Sequence, residues 1–317
     1  MTEQKHDFDF SQNDIMAQQH KERTELKKNS MSAAFMCLVM LAVNLVLTVV
    51  AVSVIKPLNN KILTVLSVGV ITICSVLLPT IIGSYFFGGI KPIFSQWHKD
   101  RKNIIDNVLM IVFGFGACVA INYITGVLSA IFPFLSKNNS AVSYGNDILS
   151  VCLSVVVFAI LPAICEEFAF RGVIMGIFRK YGDRFAIIIS ALIFGMLHSS
   201  FMTMVFAFGS GIVFGLIRKN SGSIVPSMIV HFLNNLMSVI MSCLDNESGV
   251  MFYYIVIFVS AVMLLLSIVL IYRRNSGLFS LGGSNCSLSE KDMFKTAILS
   301  CPSMLAFIVI SGVIMLL

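Results

Sequence analysis

Charge is what this sequence has least of. Asp, Glu, Lys and Arg make up 12% of its 317 residues and hydrophobic residues 57%, against about 25% and roughly 45–50% in soluble domains. A soluble globular fold is excluded on composition alone. The eight cysteines form no CxxC pair and no zinc-finger spacing, so Cys37, Cys74, Cys118, Cys152, Cys165, Cys243, Cys286 and Cys301 read as small packing residues. A glycine-rich phosphate loop, a GxSxG elbow, an HExxH pattern and any internal repeat are all missing.

What the chain does have is long apolar runs. Several stretches of about 20 residues carry no charge, enough at 1.5 Å per residue to cross a ~30 Å hydrocarbon core. Between charged punctuation the candidate spans fall at 33–55, 62–87, 108–134, 148–170, 185–200, 202–217, 224–243, 250–272 and 296–317. The expected fold class is all-α, a polytopic transmembrane helical bundle of about 8–9 spans with an intramembrane polar site. Residues 1–30 read as a polar, disordered or weakly helical cytoplasmic tail, 31–147 as N-terminal membrane helices, 148–243 as a core and 244–317 as C-terminal membrane helices.

The net charge of +6 reflects topology rather than a nucleic-acid partner, because the basic residues sit in short loops between apolar runs. One side collects Lys21, Arg23, Lys27 and Lys28, then Lys91, Lys99, Arg101 and Lys102, then Arg179, Lys180 and Arg184. Arg218, Lys219, Arg273, Arg274, Lys291 and Lys295 complete it. The other side has Lys56, Lys61 and Lys137, with Asp147, Asp245 and Glu247. Basic loops face the cytoplasm, which puts the amino terminus there and the chain in the cell membrane.

Ionisable groups inside the spans are costly and usually functional. Here they are Glu166, Glu167, Arg171, His198 and His231. Glu167 and Arg171 are four apart and share a helix face, so they can pair. Glu166 is turned about 100° from Glu167 and has no such local partner, which suits a general base or acid. Phe194 and His198 share one face, and His231 and Asn235 another. Glu166 lies 13 residues before Arg179, His198 14 after Arg184 and His231 12 after Lys219, so all three reach a depth of about 18–21 Å. Each has a plainer reading: histidines and asparagines can be interhelical struts, and Phe194 can be packing.

Glu166-Glu167-Phe168-Ala169-Phe170-Arg171 matches EExxxR, Phe194 to His198 matches FxxxH, and His231 to Asn235 matches HxxxN. In this order on successive spans, they resemble the CPBP family of intramembrane proteases. That family includes type II CAAX prenyl endopeptidases and bacterial proteins linked to bacteriocin processing or self-immunity. The resemblance covers residues 148–243. It implies Glu166 as the water-activating base, His198 as a group orienting that water, and His231 with Asn235 as donors to the oxyanion. Glu167, Arg171 and Phe194 would support the site.

Metal is a second question. Glu166, His198 and His231 are residue types that could ligate Zn²⁺ with a water in the fourth position, and the family resemblance carries both metalloprotease and metal-independent descriptions. The metal-independent route is preferred here, since a zinc-bound Glu166 would leave only Glu167 as base, and only if it left Arg171. The expected partners are a membrane-associated peptide or protein substrate and the lipid bilayer, with no nucleic acid. A polar site below the lipid surface needs water, so a cytoplasm-facing funnel between spans four to seven is expected. The alternatives are a non-catalytic immunity or scaffold protein that binds a bacteriocin or signalling partner, and a proton-coupled transporter; missing repeats count against the latter.

Overall fold

The computed structural model describes residues 3–85, 103–135, 147–244, 246–274, 282–283 and 286–316. Their secondary structure is entirely helical. In chain order the long helices are α1 (Gln12–Leu58), α2 (Lys61–Tyr85), α3 (Ile104–Ile131) and α4 (Ile148–Tyr181). They are followed by α5 (Asp183–Met196), α6 (Phe201–Ser221), α7 (Val225–Cys243) and α8 (Glu247–Arg274). The chain ends in α9 (Glu290–Leu299) and α10 (Pro302–Leu316), which meet at 71°.

Seven of these helices are long and apolar enough to cross a membrane, or eight if the bent pair is one span. This is the expected polytopic bundle, with one difference. The run at 185–200 forms a shorter helix than the others: α5 has 14 residues, about 21 Å, and the chain turns at Leu197–Ser200 before α6 begins. The expected break between 185–200 and 202–217 falls at this turn, which begins earlier than the apolar run suggests because it carries no charged residue other than His198.

Glycine serves both the entry into α5 and the packing of α5 on α6. Gly182 adopts φ 127°, open to glycine and strained for other residues, and lets α4 reverse directly into α5. Along the hairpin, a Cβ on Gly211 would lie 3.0 Å from the Cβ of Ala191, and one on Gly215 would lie 2.9 Å from Ile187. The GxxxG spacing at 211–215 thus marks a close helix contact, as small residues do in membranes.

Residues 1–30 differ from the expected tail. The helix runs from Glu3 to Val50, and its polar part is docked. Leu26 is fully buried, Glu22 accepts hydrogen bonds from the backbone and hydroxyl of Ser287 at 2.9 and 2.7 Å, and Arg23 pairs with Asp292 at 3.3 Å. Glu25 pairs with Lys180, Asn29 donates to the Tyr181 hydroxyl at 3.1 Å, and Arg184 pairs with Glu290 at 3.3 Å. The tail is helical because the polar start of α9 and the α4–α5 turn give it a surface to fold against. These contacts gather three of the basic segments at one end of the bundle, and Arg274 pairs there with Asp106 at 3.0 Å. Lys91, Lys99, Arg101, Lys102 and Lys137 lie outside the described residues.

Candidate active site

Glu166 and Glu167 sit in the middle of α4, where the helix is not regular. It widens to π-helical turns at Val155–Ile160, just before Pro162, and again at Phe168–Ile174. The first accommodates a proline that cannot donate to the preceding turn; such widened turns are frequent at functional sites. The second carries Arg171, whose Nη1 lies 3.0 Å from Glu167 Oε1 with both side chains fully buried. The pair read from the sequence therefore forms.

The same oxygen, Glu167 Oε1, accepts a hydrogen bond from His231 Nδ1 at 3.1 Å. A carboxylate oxygen accepts, so the ring's Nδ1 carries the proton and Nε2 is left toward Glu166. Glu166 Oε2 lies 3.7 Å from that Nε2, too far for a direct hydrogen bond and close enough for one water to join them. The two adjacent carboxylates thus have distinct surroundings. Glu167 is sealed, whereas the Glu166 side chain is 22% exposed.

Aromatic rings hold the arrangement from behind. Phe214 of α6 stacks on the His231 ring, centroids 5.1 Å apart and planes 18° apart. The Arg171 guanidinium lies over Phe194 and Phe214, at 4.5 and 4.9 Å from their centroids, and Arg171 Nη2 donates to the Gly211 carbonyl at 3.2 Å. Phe194 also meets the His198 ring edge to face at 5.1 Å. His198 itself stands in the α5–α6 turn, and its Nδ1 donates to the Phe194 carbonyl at 3.0 Å. That bond leaves Nε2 of His198 as an acceptor.

A cavity of about 270 Å³ brings these groups together, lined by Glu166, His198, His231 and Asn235, with Phe194 at its wall. The turn following α5 supplies His198, α4 supplies Glu166 and α7 the other two. Glu167 and Arg171 are not cavity residues; they lie behind it. Side-chain packing adds residues that the motif spacings do not include. Asn234 also lines the cavity, is buried, and donates from Nδ2 to Asn235 Oδ1 at 3.4 Å, leaving Asn235 Nδ2 as that residue's donor end. Ser210 and Phe214 of α6 line it too; their i, i+4 spacing beside the GxxxG was the available signal.

No set of three His, Cys, Asp or Glu side chains among the described residues is arranged to hold a metal ion. Glu166, His198 and His231 share the cavity, and each histidine hydrogen-bonds through Nδ1, to Glu167 and to the Phe194 carbonyl, which leaves its Nε2 as the open nitrogen; as a set, the three are not placed as a metal site.

No curated protein and no solved structure matches this chain. A family model does match, over the 90 residues that hold every site residue discussed here. Residues 148–237 match the Rce1-like family, described as type II CAAX prenyl endopeptidases, which lies within the CPBP group that the EExxxR, FxxxH and HxxxN motifs resemble.

Proposed function

We propose that this protein is an intramembrane endopeptidase that hydrolyses a peptide bond of a membrane-associated polypeptide with water activated by Glu166. The observation that carries the reading is the division of labour between neighbouring carboxylates. Glu167 is consumed by Arg171 and His231, while Glu166 is partly exposed in a cavity with His198, His231 and Asn235. A base needs a free, accessible oxygen beside the groups that will meet the developing charge.

In this mechanism the Glu166 carboxylate takes a proton from water as the water oxygen attacks the scissile carbonyl carbon. His198, accepting at Nε2, orients that water. The oxyanion is met by Asn235 Nδ2 and by His231 Nε2, a role that requires this nitrogen also to be protonated. Collapse breaks the C–N bond, and the departing amine takes the proton from Glu166. Each side chain used lies on a rigid element or is tied to one by a hydrogen bond, which favours preorganisation. The protein acts in the cell membrane with its amino terminus in the cytoplasm, a placement supported by the basic residues gathered at one end of the bundle.

The test is cleavage of a quenched-fluorescent peptide library by the detergent-purified protein, wild type beside Glu166→Gln, each with and without a zinc chelator. Wild type should cut, Glu166→Gln should lose about 10²–10⁴-fold, and the chelator should leave the rate unchanged. Equal cutting by both proteins would remove Glu166 from the chemistry; loss of cutting with the chelator would replace the carboxylate mechanism by a metal one.

A further inference from the structure

A second cavity, separate from the candidate active site, lies between α1 and α2. It measures about 670 Å³, has Ser303 of α10 at one end, and shares no lining residue with the cavity around Glu166. Its shape follows from the two helices. Phe35, Val39, Val43 and Leu47 recur every four residues along α1 and form one wall. The facing wall, on α2, is cut back to Cys74, Pro79 and Gly83. There α2 widens to a π-helical turn at Ile73–Leu77, just before Pro79. A Cβ on Gly83 would lie 2.8 Å from Met36 Sδ, so α2 approaches α1 closely near the charged end.

The dimensions decide what fits. From Ser32 to Leu47 the groove runs about 22 Å along α1, more than the depth of one leaflet, which is about half of a ~30 Å core. Spread over that length, its volume gives a mean cross-section of about 30 Å², whereas a helix 10–12 Å across fills roughly 80–110 Å². A helix of this chain or of another protein is too wide. An extended polypeptide fails for a different reason: its amides and carbonyls would face a wall whose hydroxyl groups, those of Ser32 and Ser303, stand only at one end. A single hydrocarbon chain meets neither objection.

The polar end says what kind of molecule carries that chain. Lys28 lies one turn before Ser32 on the same face of α1, and Lys27 one turn before Met31. Both are exposed. Among the described residues neither belongs to an ion pair, whereas Arg23 and Glu25 of the same stretch pair with Asp292 and Lys180. Ser303 stands in the first turn of α10, which begins at Pro302, where the helix dipole favours negative charge. Its Oγ donates to the Met31 carbonyl at 3.3 Å and ties α10 to α1 at this point. A negative head group at the top of the hydrocarbon chain therefore meets complementary charge.

We propose that this groove binds an anionic glycerophospholipid from the leaflet at the charged end of the bundle. One acyl chain lies along α1 from Phe35 to Leu47, and the phosphate sits at Lys28, Ser32 and Ser303. The lipid bridges α1, α2 and α10. The proposal stands apart from the endopeptidase reading, since no residue of the groove takes part in that chemistry.

The experiment is native mass spectrometry of the detergent-purified full chain, stripped of lipid and titrated with dioleoyl phosphatidylglycerol or dioleoyl phosphatidylcholine. The two share acyl chains and differ in head-group charge. The first phosphatidylglycerol should bind at lower concentration than the first phosphatidylcholine. Lys28→Ala should weaken phosphatidylglycerol binding about fivefold, the worth of one lysine beside an anionic lipid, and leave phosphatidylcholine unchanged. Val43→Trp and Val39→Phe, which fill the groove, should each weaken both lipids; two are made so that a variant whose thermal unfolding shows a fold defect leaves the other to decide. Equal binding of the two lipids by wild type, as an unselective lipid belt would give, overturns the proposal. So does a charge preference that survives Lys28→Ala at full strength. Undiminished binding by a correctly folded groove-filling variant puts the lipid elsewhere and overturns it as well.

Discussion

One oxygen atom, Glu167 Oε1, meets both a guanidinium and an imidazole. Glu167→Gln should therefore be costly in a way that Glu166→Gln is not. It strands the fully buried Arg171 charge, and breaking a buried pair from one side costs about 3–5 kcal/mol. Thermal unfolding in detergent should show a large drop for Glu167→Gln, partial recovery in Glu167→Gln with Arg171→Met, and little change for Glu166→Gln, whose loss should be confined to turnover. An unfolding curve for Glu167→Gln that overlays wild type would show that the buried pair contributes nothing. The pair itself was legible at four-residue spacing. The bond from Glu167 to His231 was not, because 64 residues separate the partners and only the packing of α7 against α4 brings them together. For the same reason the His231–Asn235 spacing does not point to Asn234, which also lines the cavity: a face assigned from one helix does not know which neighbours surround it.

At the scale of elements, the α5–α6 hairpin carries the site, since it delivers His198 from its tip and Phe214 and Ser210 from its second arm. Its closeness depends on absent side chains. Gly215→Ala would push a Cβ to 2.9 Å from Ile187, and Gly211→Ala one to 3.0 Å from Ala191 and 3.3 Å from Arg171 Nη2. Overpacking of this kind costs about 1–3 kcal/mol. Both variants should unfold at lower temperature, and Gly211→Ala should also slow cleavage, because the arm it displaces holds Arg171 through the Gly211 carbonyl. A Gly211→Ala protein with wild-type turnover would show that this arm tolerates displacement. The helical character of every apolar run followed from the sequence. The shortness of α5 did not, since the sequence separates 185–200 from 202–217 without showing that the helix already ends at Met196 and gives way to a turn.

At the scale of the whole molecule, the amino-terminal helix and the α9 segment clasp the α4–α5 turn. The ion pairs in this clasp are half-exposed: the Arg23 and Asp292 side chains are 48% and 40% accessible, so Arg23→Ala should cost less than about 1 kcal/mol. Leu26 is different. Fully buried, it should cost about 2–5 kcal/mol on replacement by alanine. Limited proteolysis should cut Leu26→Ala within residues 12–30 much faster than Arg23→Ala, and equal rates would show that the ion pairs, rather than the apolar contact, hold the helix down. This docking was hidden in the sequence because polar residues of mixed charge read alike whether solvated or paired with a distant partner.

The short helix α5 also sets a length scale for the surrounding lipid. A helix of about 21 Å beside neighbours that cross the whole core is a built-in hydrophobic mismatch, relieved when the nearby leaflet thins or water enters above the tip. Acyl chain length then controls how far the reacting groups stand from bulk water. Reconstitution in short-chain lipid should shorten that distance and raise turnover, whereas long-chain, sterol-thickened bilayers should lower it, so membrane thickness becomes a dial on the rate.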